Sequence, residues 1–189
     1  MKKVNIVNRV YATAMNLKET YENVSLDTTI FGDKCIIKTE ELEKAPKIDG
    51  TYILHRPDIV IMNGCAIAVA TMVELNNVTY NVVCTDNLYD CLDENTQKFV
   101  INHEIGHHKH NHLKTIIEMG LDDKKKYIQN RLHGDGINME YQADAYAVSV
   151  MGKEAAKTGI KSLYKTFGIA MSIRNHSEFK KRMDKISKM

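Results

Sequence analysis

Residues 103–107 read His-Glu-Ile-Gly-His, and residues 140–144 read Glu-Tyr-Gln-Ala-Asp. On an α-helix, residues four apart are rotated by about 40° and separated by about 6 Å along the axis, so His103 and His107 share one face. Two imidazole nitrogens held that way can meet one zinc ion at about 2.0–2.1 Å. Glu104 lies beside this face, close enough to bond a water at the ion without ligating it. An ion that lowers the water's pKa, next to a carboxylate that takes its proton, is what metal-assisted hydrolysis needs. Gly106 leaves room over the helix for another backbone or for the metal.

The second stretch sits on a helix predicted from about Ile137 to Met151, with Gly152 placed to end it. Glu140 and Asp144 are again four apart, among small and apolar residues (Ala143, Ala147, Val148, Met151). Two carboxylates on an apolar face are costly to bury unless something pairs with them. A cation and its histidines would do so, with Glu140 as third ligand and Asp144 accepting from a ring N–H. The bland alternative puts both acids at the surface near a helix N-terminus, where negative charge is favoured.

Working outward, Asp93 caps the helix that carries His103, with Glu94 favourable at its positive end. Upstream, Tyr52–His55, Asp58–Met62, Ala66–Val73 and Val78–Thr85 read as short strands, with Asn76-Asn77 as a hairpin turn between the last two. Residues 9–24 have amphipathic helical spacing, Cys35-Ile36-Ile37 suits a strand, and Glu40–Glu43 a turn or short helix. A short helix is expected at Tyr127–Leu132, and two further helices over 153–172 and 177–188. The expected fold is α+β: a small mixed sheet, an active-site helix and a helical C-terminal half, in one domain over 1–189.

Composition agrees. At 43% hydrophobic and 26% charged residues, the chain is an ordinary globular sequence and not a disordered one. A formal charge of only +2 gives no reason to expect nucleic acid or an anionic membrane as partner. Cys35, Cys65, Cys84 and Cys91 have neither CxxC spacing nor a disulfide-framework pattern. The N-terminus lacks the apolar core of a signal peptide, and Ile59–Val73 is interrupted by Asn63-Gly64 and too short to span a bilayer. A soluble, cytoplasmic protein is the expectation.

The pair HEIGHHKHNH (103–112) and EYQADAYA (140–147) resembles the gluzincin metallopeptidases, and within them peptidase family M48, the HtpX-like and CAAX prenyl protease group. Val82–Leu88 resembles the strand and turn before that family's active-site helix, and Asn63–Ala66 is similar to its Asn-Ala segment before an edge strand. His176 with Arg182 resembles its C-terminal His-Pro…Arg-Ile element, with Ser177 and Met183 replacing the proline and isoleucine. The resemblance covers about residues 58–188. The first 50 residues, without a counterpart, would be an N-terminal extension or prosegment. The short connection between His107 and Glu140 comes closer to compact gluzincins of the ImmA/IrrE type.

The resemblance implies a zinc endopeptidase acting on protein or peptide substrates, with one zinc per chain. His103, His107 and Glu140 would be its ligands, Glu104 the general base, and Asp144 the group that orients a ligand histidine. Ala66, Ile67, Ala68, Val69 and Ala70 would form an edge strand pairing with an extended substrate. His176 and Arg182 would stabilise the oxyanion, with Tyr141 or Tyr146 as alternatives. The competing class is a gluzincin-fold regulatory or binding protein with a metal site and little or no catalysis; a third is a small helical partner-binding module with no metal. His108, His110 and His112 read as solvated residues near a helix C-terminus. His55 and His133 are isolated, Lys124–Lys126 is a solvated loop, and Cys35 and Cys65 are buried thiols, with approach to the zinc as the alternative.

Overall fold

The structure, a computed structural model, describes residues 39–58, 67–75, 78–120, 122–123, 126–127, 138–167 and 173–189. The expected helix at 9–24, the strand at 35–37, most of the strand at 58–62, the turn at 76–77 and most of the helix at 127–132 lie outside these residues, as do Cys35, Cys65 and His133. The chain divides into two compact units, Met1–Cys91 and Leu92–Met189.

The first unit holds helix α1 (Thr39–Lys44) and a four-stranded sheet of β1 (Lys47–Ile48), β2 (Thr51–His55), β3 (Ala68–Leu75) and β4 (Val78–Thr85). Among the described residues the spatial order is β1-β2-β4-β3, with β3 at one end. β2 runs parallel to β4 while the two outer pairs are antiparallel, making the sheet mixed. Val82–Thr85 is buried at every position, the pattern of an inner strand enclosed on both faces. The β1–β2 hairpin has positive φ at Asp49 (47°) and Gly50 (86°), as a two-residue type I′ turn requires. Leu75 pairs with Val78 at the end of the antiparallel β3–β4 ladder. After β4, the buried Asp86 carboxylate accepts from the Leu88 N–H at 2.9 Å and turns the chain into a 3₁₀ segment, Asn87–Cys91.

The second unit is helical: α2 (Glu94–Lys109), α3 (His112–Glu118), α4 (Asn138–Met151), α5 (Lys153–Phe167) and α6 (Ile173–Lys188). Its core is formed by Phe99, Val100, Ile105, Leu113, Ala143, Ala147, Ala156, Ile160 and Ile186. α2 packs on both α4 and α5 at glycines. A Cβ added to Gly159 would lie 2.5 Å from the Phe99 Cβ. α4 ends at Gly152 with φ 83°, as its position predicts.

Asp93 is the N-cap of α2: it accepts from the Thr96 N–H at 2.9 Å and from the Thr96 and Ser162 hydroxyls at 2.7 Å. The two hydroxyls, then the backbone N–H, pull its carboxyl down from 3.8 to about 2. Asp93→Ala is expected to cost about 1 kcal/mol, read as a lower urea midpoint. A depressed carboxyl contributes in full above its unfolded pKa and loses that contribution as pH falls through the folded one. The gap between wild type and variant should therefore be complete at pH 7 and close as pH falls toward 2.

Candidate metal centre

α2 presents His103 and His107 from successive turns, and α4 brings Glu140 and Asp144 against them. The approach is close because Gly106 has no side chain: a Cβ there would lie 2.7 Å from the Ala143 Cα and 2.9 Å from its carbonyl oxygen. Gly106 thus admits another backbone, as its position in the motif predicts. Ala143 stands between Glu140 and Asp144, so this contact places both carboxylates over the histidine face.

The ring nitrogen Nε2 of His103 is 3.2 Å from Nε2 of His107 and 3.2 Å from Oε2 of Glu140, and His107 Nε2 is 3.8 Å from Glu140 Oε1. Among the described residues these three side chains form a group whose ligand atoms all lie within 4.8 Å of one another. Ligands at 2.0–2.1 Å from a tetrahedral ion are separated by about 3.3–3.4 Å. The donors therefore fit one ion, and their chemistry, two imidazoles and a carboxylate, suits zinc.

The group behind His103 settles its tautomer. Nδ1 of His103 is 2.9 Å from Asp144 Oδ1, and an ionised carboxylate only accepts, so Nδ1 carries the proton and the ring's acceptor is Nε2. Asp144, fully buried, is clamped by Arg182, which donates from Nε to Oδ2 at 2.8 Å and from Nη2 to Oδ1 at 2.6 Å. Burial would raise the Asp144 carboxyl, but the Arg182 guanidinium and the His103 hydrogen bond outweigh it and hold it below the usual carboxylate range. Burial likewise lowers the pKa of His103, yet its hydrogen bonds to Asp144 and Glu140 prevail and raise it to about 9. Two carboxylates on one imidazole make the pocket favour positive charge there, which a cation at Nε2 would supply in place of a second ring proton.

Glu104 is half-buried on the same turn as His103. Arg182 is buried, with its guanidinium on Asp144 and Nη1 3.7 Å from Glu140 Oε2. His176 falls within α6, its side chain outside the described residues. Tyr141 and Tyr146 are half-buried on α4, Tyr141 with the Lys185 ammonium 5.7 Å from its ring centre. In the first unit Ile67 precedes β3 and Ala68–Ala70 begin it, all four buried, while Ala66 lies outside the described residues. His55 is not isolated: it bonds Thr85 Oγ1 at 2.9 Å and Asp90 Oδ2 at 3.1 Å.

One reading is corrected outright. His110 is exposed as expected, but His108 and His112 are buried. α2 stops at Lys109, and Asn111 takes a left-handed conformation (φ 53°, ψ 30°) that starts α3 in a new direction. Asparagine tolerates that backbone better than most residues. The turn folds His112 back so that its Nδ1 lies 2.9 Å from Nδ1 of His107, while its Nε2 lies 2.8 Å from Gln142 Oε1. Burial holds His112 below the usual histidine pKa against the opposing effect of Gln142. His112 and Gln142 are the site residues that sequence reasoning missed.

No helix among the described residues is long and apolar enough to cross a membrane. No curated protein and no solved structure matches the chain. The family model for peptidase family M48 matches residues 70–134, about a third of the chain, and the matched segment contains most of β3, all of β4, α2 and α3. It ends before Glu140, so the carboxylate that completes the candidate site is found by geometry, independently of the match. Residues 70–134, which hold β4 and the helix of His103 and His107, are thus similar to peptidase family M48, and the third group that could hold a metal comes from beyond them.

Proposed function

We propose that this protein is a zinc-dependent endopeptidase that hydrolyses peptide bonds in protein or peptide substrates. The observation that carries the reading is the convergence of His103 Nε2, His107 Nε2 and a Glu140 carboxylate oxygen beside a half-buried Glu104. Zinc held there would supply a Lewis acid that activates water near neutral pH. Glu104 is the base that takes the water's proton and returns it to the departing amine. Asp144 fixes the His103 tautomer, and Arg182 fixes Asp144, which makes Arg182 a positioning residue; His176, or Tyr141 or Tyr146 in its place, is the candidate oxyanion donor. By the same resemblance, Ala66–Ala70 would pair with an extended substrate through main-chain hydrogen bonds.

Elemental analysis of the purified chain tests the centre. About one zinc per chain is expected in wild type, with most of it lost in His103→Ala and in Glu140→Ala. A wild-type chain that takes up no metal on reconstitution would overturn the proposal.

A further inference from the structure

His112 and Gln142 lie outside the ligand set, yet their contacts form an ordered line to it: Gln142 Oε1 to His112 Nε2 at 2.8 Å, His112 Nδ1 to His107 Nδ1 at 2.9 Å, and His107 Nε2 into the ligand group. Each step has a direction. An amide oxygen only accepts, so His112 must donate from Nε2. A neutral imidazole protonated at Nε2 is an acceptor at Nδ1, so the short Nδ1–Nδ1 contact needs its proton on His107. A neutral His107 protonated at Nδ1 has its lone pair on Nε2, the atom 3.2 Å from His103 Nε2.

We infer that His112 and Gln142 are positioning residues that fix the tautomer and ring orientation of His107, so that its Nε2 is held ready for the metal. The inference rests on the zinc-centre reading above. It gives the two ligand histidines separate supports on one helix: Asp144 of α4 holds His103, and Gln142 of α4, through His112, holds His107. Glu140 comes from the same helix. One element thus supplies the third ligand and orients the other two, and the left-handed turn at Asn111 is what returns His112 to it. The supports differ in kind, a charged carboxylate clamped by arginine behind one ring and a neutral imidazole–amide pair behind the other.

Zinc dissociation constants, measured by competition with a chromophoric chelator, test this in wild type, His112→Leu, His112→Asn, Gln142→Leu and His103→Ala, with circular dichroism checking the fold of each. The Oδ1 of asparagine can occupy the place of the histidine Nδ1 and accept from His107, whereas leucine fills similar space without an acceptor. His112→Leu is expected to weaken zinc binding about 10–100-fold. His112→Asn should stay close to wild type, and the exposed Gln142→Leu should lose a smaller factor than His112→Leu. A packing role alone would treat asparagine no better than leucine. Nitrogen-15 spectra of histidine-labelled, zinc-loaded protein give a second readout, expected to show His112 protonated at Nε2 and bare at Nδ1. Tight zinc binding lost in His103→Ala but unchanged in His112→Leu, or His112 protonated at Nδ1, would overturn the relay and leave the metal centre standing. A wild type that binds no zinc overturns both.

Discussion

Glu104→Gln is expected to lower peptide hydrolysis by about 10²–10⁴-fold, the range a positioned general base contributes, with zinc content unchanged. The substitution keeps size and hydrogen-bonding capacity and removes only the ability to take a proton. Glu104 stands next to His103 in sequence, half-buried on α2, but the ligand group is made by His103, His107 and Glu140. Activity and metal should therefore separate in this variant, whereas His103→Ala loses both. Hydrolysis of a quenched fluorescent peptide library, beside zinc content, reads the two. Full activity in Glu104→Gln would refute the assigned base, and loss of zinc would make Glu104 a ligand.

Arg182→Met should destabilise the helical unit by about 3–5 kcal/mol, because it strips the bidentate partner from a carboxylate buried without exposure to water. In a chain of this size that is a fall in melting temperature of roughly 6–20 °C. The double variant Arg182→Met/Asp144→Leu removes both charges and should regain most of the loss, since a buried ion pair replaced by apolar groups of similar volume is often neutral. Zinc affinity should not return with stability, because His103 has then lost the acceptor on its Nδ1. Differential scanning calorimetry with chelator competition distinguishes these outcomes. Equal stability of wild type and Arg182→Met would mean that Asp144 needs no such partner.

What the sequence revealed and what it hid divide along a physical line. Relations set by helical period were legible: the shared face of His103 and His107, the pairing of Glu140 with Asp144, the cap at Asp93 and the stop at Gly152 each depend on a few neighbouring residues. The strand read at Tyr52–His55 is β2, one residue longer at its start, and the apolar, β-branched run Val78–Thr85 is β4. Relations set by a break in that period were not. Counted as one continuing helix, His108 and His112 belong to its wet end; one left-handed residue at Asn111 redirects the chain and buries His112. The engagement of Arg182 was equally hidden, because 38 residues separate it from Asp144 and nothing local records that α6 returns to α4. The hairpin of Lys47–Ile48 with Thr51 and Tyr52 escaped notice since a two-residue strand has no period to read.

The contact between Gly106 and Ala143 bears on which ion the protein can select. The donors ride on two helices that touch at Gly106, where an added Cβ would meet the Ala143 Cα at 2.7 Å, so a larger side chain there would part Glu140 from the two histidines. Calcium, with bonds of about 2.3–2.6 Å and six to eight oxygen ligands, is offered too few donors of the wrong kind. Magnesium resists giving up its waters for imidazole. Two nitrogens and one carboxylate are a poor match for the abundant hard cations in donor number and softness, and the close approach that brings the three together depends on the absence of a side chain at position 106.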